Sequence, residues 1–243
     1  MERKHVLITG SSRGLGLEFV RQFLGRGAIV HATCRSPSSA SALEALKDEF
    51  GDKLKIYALD TSVEGSAVGV ASQIESLDVL VNNAGIATKH HPVDPIVEND
   101  IDELMTVVRT NVGGNIATTN AFLDALRRGS KIVVNLSSDL GSIEKTFQAQ
   151  STTVKAGGVS SYRISKAASN MATRIFAAEL ASENFKVIAL SPGWVATDMG
   201  ASGGRAPPLT PEQSIRGCID VISKLTSEDN GKFFGFDGAN LPW

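Results

Sequence analysis

His5-Val6-Leu7-Ile8-Thr9 runs directly into Gly10-Ser11-Ser12-Arg13-Gly14-Leu15-Gly16, and that turn into Leu17-Glu18-Phe19-Val20-Arg21-Gln22-Phe23-Leu24. The first run is short, apolar and β-branched, the pattern of a parallel strand buried on both faces. The last run has helical periodicity. Strand, glycine turn and helix in that order make an anion site, because the free amides at the helix start face outward and the helix dipole favours negative charge. Gly10 permits the tight turn, Gly14 lets a pyrophosphate approach the backbone, and Gly16 lets the helix pack closely on the strand. The spacing is G-x-x-x-G-x-G rather than the G-x-G-x-x-G of the standard dinucleotide fingerprint.

Strand and helix patterns alternate from there to the end. Further strands are predicted over residues 28–34, 54–59, 78–81, 131–136, 186–190 and 233–236. A long helix is predicted from about Asn99 to Arg128, and Thr210-Pro211-Glu212-Gln213 has the cap, proline and capping-box glutamine of another helix start. The expected fold is α/β: one doubly wound parallel sheet of about seven strands with helices on both faces. A single domain over residues 1–243 is expected, with a cofactor half of about 1–130 and a catalytic and substrate half of about 131–243. In such sheets ligands bind beyond the carboxyl ends of the strands.

Composition narrows the function classes. The chain has 243 residues, 42% of them hydrophobic, and a formal net charge of −2, so no basic field points to nucleic acid or an anionic membrane. No apolar run approaches the ~20 residues of a membrane span. Cys34 and Cys218 form neither a disulfide framework nor a metal-binding spacing, and reduced thiols of a cytoplasmic protein are the simplest reading. Met1-Glu2-Arg3-Lys4 leads straight into the first strand, so no cleavable signal is expected.

The end of the second strand bears on which dinucleotide binds. An NAD site places an acid about ~20 residues beyond the turn, to hold the ribose 2′-hydroxyl. Cys34 and Arg35 stand there instead, and Arg35 can grip a 2′-phosphate as a planar donor. Arg13, inside the glycine turn, is a second cation on the same side. The pair points to NADP(H). His31, within the strand, is expected to be a packed core histidine.

Tyr162 and Lys166 stand four apart, on one face of a helix. A cation roughly 4 Å from a phenol, at an effective dielectric of about 20, favours phenolate by about 4 kcal/mol. That would bring the tyrosine from a pKa near ~10 towards neutrality, where it can act as a general acid or base.

Thr9-Gly10 through Gly16, Asn82-Asn83-Ala84-Gly85, Asn111, Ser138, Tyr162 with Lys166, and Pro192-Gly193 occur in that order. Together they resemble the short-chain dehydrogenase/reductase family over essentially the whole chain. Finer matches are Ser137 to Ile143, Pro192 to Gly200, and Phe233-Phe234 with Leu241-Pro242-Trp243. These resemble the family's compact branch of sniffer-type carbonyl reductases and C-factor-like oxidoreductases. The resemblance implies Tyr162 as proton donor to a carbonyl, Lys166 as the group that lowers its pKa and holds the nicotinamide ribose, and Ser138 rather than Ser137 as oxyanion donor. It implies Asn111 as the residue that positions a water relaying protons to Lys166. The cofactor set it implies is Gly10, Ser12, Arg13, Gly14, Leu15, Gly16, Arg35, Asp60, Asn82, Ala84, Gly85, Tyr162, Lys166, Pro192, Gly193, Val195 and Thr197. Asp60 is expected near the adenine amino group, Asn82 and Gly85 under the adenosine ribose, and Thr197 by the nicotinamide amide or the phosphates. No metal is expected, and a homodimer or homotetramer is compatible with the resemblance.

Twenty-three residues separate Ser138 from Tyr162, a long spacing for this family. The stretch from Glu144 through Ser160 reads as a surface loop or lid beside the substrate. Ile143, Phe147, Trp194 and Met199, with Ser138, are the expected substrate contacts, which favours bulky, hydrophobic carbonyl compounds. NADPH-dependent carbonyl reduction is the reading preferred. The rival is a dinucleotide-binding regulator or signalling protein, and the intact catalytic set argues against it.

Overall fold

The computed structural model describes residues 1–89, 94–146 and 159–243. Its strands are β1 (His5–Ile8), β2 (Ile29–Cys34), β3 (Leu54–Ala58), β4 (Val79–Asn82), β5 (Ile132–Leu136), β6 (Lys186–Ser191) and β7 (Phe233–Gly235). All pair in parallel in one sheet of order β3-β2-β1-β4-β5-β6-β7. The chain winds outward from β1 to one edge, returns past it, and winds to the other. β1 therefore sits between β2 and β4, with Val6 opposite both Val30 and Val79.

The helices are α1 (Gly14–Gly25), α2 (Ser41–Phe50), α3 (Ser66–Ala71), α4 (Ile101–Val108), α5 (Gly114–Arg127), the single turn α6 (Ile143–Thr146), α7 (Ser160–Glu179) and α8 (Pro211–Lys224). Strand side chains alternate between two cores. On one face Val6, Ile8, Val30, Val81 and Val134 meet Phe19 and Phe23 of α1 and Ile215 and Ile219 of α8. On the other Leu7, Leu80, Val133 and Val187 meet Phe122 and Leu126 of α5 and Ala177 of α7. Both faces are covered, which is why the strands read as unbroken apolar runs. This is the doubly wound α/β fold.

The helix expected over Asn99–Arg128 is not a single α-helix. It starts at Ile101, where the Asp100 carboxylate accepts from the backbone N–H of Asp102 and Glu103. Arg109–Gly113 then form a π-helical turn before α5. The extra residue in that turn accompanies an inward-facing Asn111, fully buried and bonded across to Ile86 and Ser165. The capping box at Thr210–Gln213 is formed as its sequence suggests.

Candidate active site

The carboxyl ends of the strands open on a cleft of about 590 Å³, in line with the position expected for a ligand in this fold. Its floor is the glycine turn. Thr9 Oγ1 accepts from the N–H groups of Asn83 (3.0 Å) and Ala84 (2.9 Å), and Asn83 Nδ2 donates to the Thr9 carbonyl at 2.7 Å. The β1 and β4 ends are thus tied across the point where the strand order reverses. Gly10 takes φ +68°, and a Cβ there would lie 3.0 Å from Ala84 Cα. A Cβ on Gly16 would overlap the Gly10 carbonyl oxygen, so helix α1 can approach the turn only with glycine at that position. Ser12, Arg13, Gly14 and Leu15 complete this wall of the cleft.

Two cations, Arg13 and Arg35, line the cleft. Arg35 follows β2, is exposed and lines the cleft. It adds to the forces that hold the Asp60 carboxyl below the usual range, of which the hydrogen bond from the Ser62 hydroxyl is the largest. Arg13 pairs with Asp198 at 3.1 Å across the cleft mouth, both side chains largely in water. Such exposed pairs contribute about 0–1 kcal/mol, so Asp198 leaves Arg13 available to a stronger anion. Arg13, Arg35 and the open backbone at Gly14, where a Cβ would meet only Thr197 Cγ2 at 3.8 Å, fit a phosphorylated dinucleotide.

At the other end of the cleft lie Tyr162 and Lys166 of α7. Lys166 is buried, and its Nζ donates to the Leu136 carbonyl at 2.6 Å and stands 5.4 Å from the Tyr162 ring centre. Burial pulls its pKa down to about 8. Burial of the phenol raises the Tyr162 pKa to about 12, with the Asp139 carboxylate adding to the rise and the Ser138 hydroxyl opposing it. The lowering expected from Lys166 is not among the forces that set the phenol's pKa here: the ammonium donates to the Leu136 carbonyl, and burial of the phenol gives the shift its upward direction. Tyr162 keeps partial exposure to the cleft.

The two serines after β5 differ in their partners. Ser137 is buried and donates to Asn170 Oδ1 at 2.6 Å, whereas the Ser138 hydroxyl accepts from Leu140 N and lies beside the phenol. Asn111 does not reach the cleft surface. Its Oδ1 accepts from Ile86 N at 2.8 Å, while its Nδ2 donates to the Ile86 carbonyl and the Ser165 hydroxyl, both at 2.9 Å. Gly85 fits between it and the lysine, since a Cβ there would lie 3.3 Å from Asn111 Oδ1 and 3.7 Å from Lys166 Nζ.

Asp60, Ala84, Gly85, Pro192, Thr197 and Met199 also line the cleft. Asn82 does not: it is fully buried, with Nδ2 donating to Thr119 and Asn135, and strand alternation brings its neighbour Asn83 to the cleft instead. Gly193 and Val195 are set back as well, Gly193 because Leu209 and Phe236 crowd it and Val195 because its side chain is buried. Ile143 and Trp194 are exposed outside the cleft lining, at 74% and 46%, so neither packs into the core. The expectation for Phe147, and for most of the 144–160 loop, lies outside the described residues. Thr106 of α4 and Arg109 and Thr110 of the π turn line the cleft without having been expected. Among the described residues no group of three His, Cys, Asp or Glu side chains could hold a metal ion, and no helix is long and apolar enough to cross a membrane.

A family model described as short chain dehydrogenase matches residues 4–207. The C-signal protein of Myxococcus xanthus is 37% identical over 69% of this chain and 93% of its own. Two solved structures superpose over all of both chains with a TM-score of 0.87: an NADPH-bound carbonyl reductase from chicken fatty liver, 30% identical, and the carbonyl reductase Sniffer of D. melanogaster, 31% identical.

Proposed function

The chain belongs to the short-chain dehydrogenase/reductase family and is an oxidoreductase of that family; from that premise we propose that it reduces a ketone, aldehyde or quinone to the alcohol with NADPH. The observation that carries the reading is the layout of one cleft. Arg13 and Arg35, with no acid at the end of β2, stand at one end and Tyr162 and Lys166 at the other; Ser138 lies beside the phenol, although Ser137 and not Ser138 is in the cleft lining. The NADPH in the chicken carbonyl reductase supports the cofactor assignment.

When bound, NADPH supplies the hydride. Tyr162, its pKa raised to about 12, holds its proton at neutral pH and gives it to the carbonyl oxygen. That protonation state suits reduction better than oxidation, because a base would have to be deprotonated first. Ser138 Oγ donates to the same oxygen as charge builds on it. Lys166, still mostly cationic at pH 7 with a pKa near about 8, offsets the charge left on the phenolate. Met199, 36% exposed at the cleft wall, supplies apolar surface for a hydrophobic carbonyl compound.

The test is to follow NADPH oxidation against a panel of ketones, aldehydes and quinones, with NADH in parallel. Turnover of at least one class with NADPH preferred is expected. Equal affinity for NADH would overturn the cofactor assignment. Tight NADPH binding without any turnover would favour the regulatory reading, for which the likeness to C-signal is the one specific support.

A further inference from the structure

Helix α7, which carries Tyr162 and Lys166, starts without a cap of its own. The residue before it, Val159, is β-branched yet sits at φ +66° and ψ 32°, is 1% exposed, and has no side-chain acceptor. The first N–H groups of a helix need partners from outside it. Here Asp94, far away in sequence, provides them. Its backbone carbonyl accepts from Ser160 N at 3.0 Å, and its carboxylate Oδ2 accepts from Ser161 N at 2.8 Å. Its other oxygen accepts from Asn99 Nδ2 at 2.7 Å, and that same amide nitrogen also reaches Ser161 Oγ at 2.9 Å. Asp94 is 8% exposed and Ser161 fully buried, so water does not compete for these bonds. A carboxylate in this place also faces the positive end of the helix dipole.

We propose that Asp94 is a positioning residue for the catalytic pair, fixing the first turn of α7, and with it Tyr162, relative to the cleft floor. Tyr162 directly follows Ser161, so a shift of that turn moves the phenol. Asp94 also lies on the connection leaving β4, which begins with the floor residues Asn83, Ala84 and Gly85 and is gripped at Ile86 by Asn111. One segment thus holds the cofactor floor at one end and the catalytic helix at the other. The proposal rests on Tyr162 being the proton donor, and misplacing a reacting group by about 1 Å can cost on the order of 100-fold in rate.

The experiment compares Asp94→Ala, Asp94→Asn and Asn99→Ala with the unmodified chain in three measurements. These are amide hydrogen exchange at Ser160 and Ser161 without cofactor, NADPH affinity, and kcat on a carbonyl compound that the unmodified chain turns over. Asp94→Ala should speed exchange by on the order of tenfold, the size of a lost helix cap. It should lower kcat by about as much and leave NADPH affinity within about twofold. Asp94→Asn still presents an oxygen to Ser161 N and should restore most of both losses. Unchanged exchange in Asp94→Ala overturns the proposal, as does an equal fall in kcat and NADPH affinity, or a failure of Asp94→Asn to rescue. If Asp94→Ala does not fold, Asn99→Ala, which removes the group orienting the carboxylate together with its contact to Ser161 Oγ, should show the same pattern at about threefold; unchanged exchange there is equally fatal. The exchange measurement needs no turnover, so a chain that reduces no carbonyl would defeat the proposed function and leave the capping test intact.

Discussion

Tyr162 and Lys166 are both displaced from their ordinary pKa values by burial, in opposite directions, because burial disfavours whichever form is charged. Replacing Tyr162 by Phe keeps the ring and removes the proton. Turnover should fall by about 100-fold or more, the scale of general acid catalysis, while NADPH affinity measured by titration changes little. Lys166 has a signature in stability as well. Its pKa is about 8 in the fold against 10.5 for the ordinary side chain, so between those values the unfolded chain binds more protons than the folded one. Stability from this group therefore rises with pH across that window. Lys166→Met should be the more stable chain at pH 6, and its advantage in denaturant melts should shrink as pH passes 8 towards 10; a constant advantage would contradict the burial argument. At the other end of the cleft, Arg35→Asp should weaken NADPH far more than NADH, since a carboxylate repels a 2′-phosphate and accepts from a 2′-hydroxyl. The identities of these residues can be read from the chain, because i to i+4 spacing and the missing acid are local facts. The direction of the Tyr162 shift cannot. It depends on the burial of the phenol, and after that on Asp139 and Ser138 lying beside it, surroundings that separate elements supply.

Among the elements, strands β1 to β3 carry a polar ladder inside an apolar face. His31 Nε2 lies 3.1 Å from His5 Nδ1, its Nδ1 lies 3.2 Å from Tyr57 Oη, and the three rings stack. Burial, helped by His5 and Lys55, lowers the His31 pKa to about 4. Between 6.5 and about 4 the unfolded chain takes up a proton that the folded one refuses, so stability falls as pH drops through that window. His31→Asn keeps one donor and one acceptor without a titrating ring. Urea melts of that variant should lack the part of the acid-induced slope that lies between those pH values; an unchanged slope would place the proton uptake elsewhere. His31 reads as a core histidine from its place in an apolar strand, and it is one, at 2% exposure. The strands as a group were legible because a two-sided buried sheet leaves unbroken apolar runs. The π turn at Arg109–Gly113 was not. It follows from Asn111 reaching Ile86 and Ser165, and nothing local in Thr110-Asn111-Val112-Gly113 marks it.

Across the whole molecule, the functional groups come from the ends of β1, β2 and β3, the β4 connection, the end of β5, α7 and the segment after β6, and meet because all seven strands point the same way. Their order along the chain was enough to recognise the arrangement. Which of two neighbours faces the cleft, Asn82 or Asn83, Ser137 or Ser138, is set by strand alternation at the exact strand end, where prediction by sequence is weakest. The order β3-β2-β1-β4 has a further consequence, for the birth of the fold. β1 is synthesised before the other strands of this sheet and is the innermost of its half, yet the partner for its second edge, Val79–Asn82, is made only after β2 and β3. Until then Val6, Leu7 and Ile8 present an unpaired backbone edge and apolar side chains to anything nearby. Parallel pairings of this kind close long loops before any contact repays them, which slows folding. A fragment ending before Val79 should accordingly aggregate or stay unfolded, as light scattering and circular dichroism would report, whereas the full chain refolds; a soluble, folded fragment would show that the early strands can shelter β1 without its later neighbour.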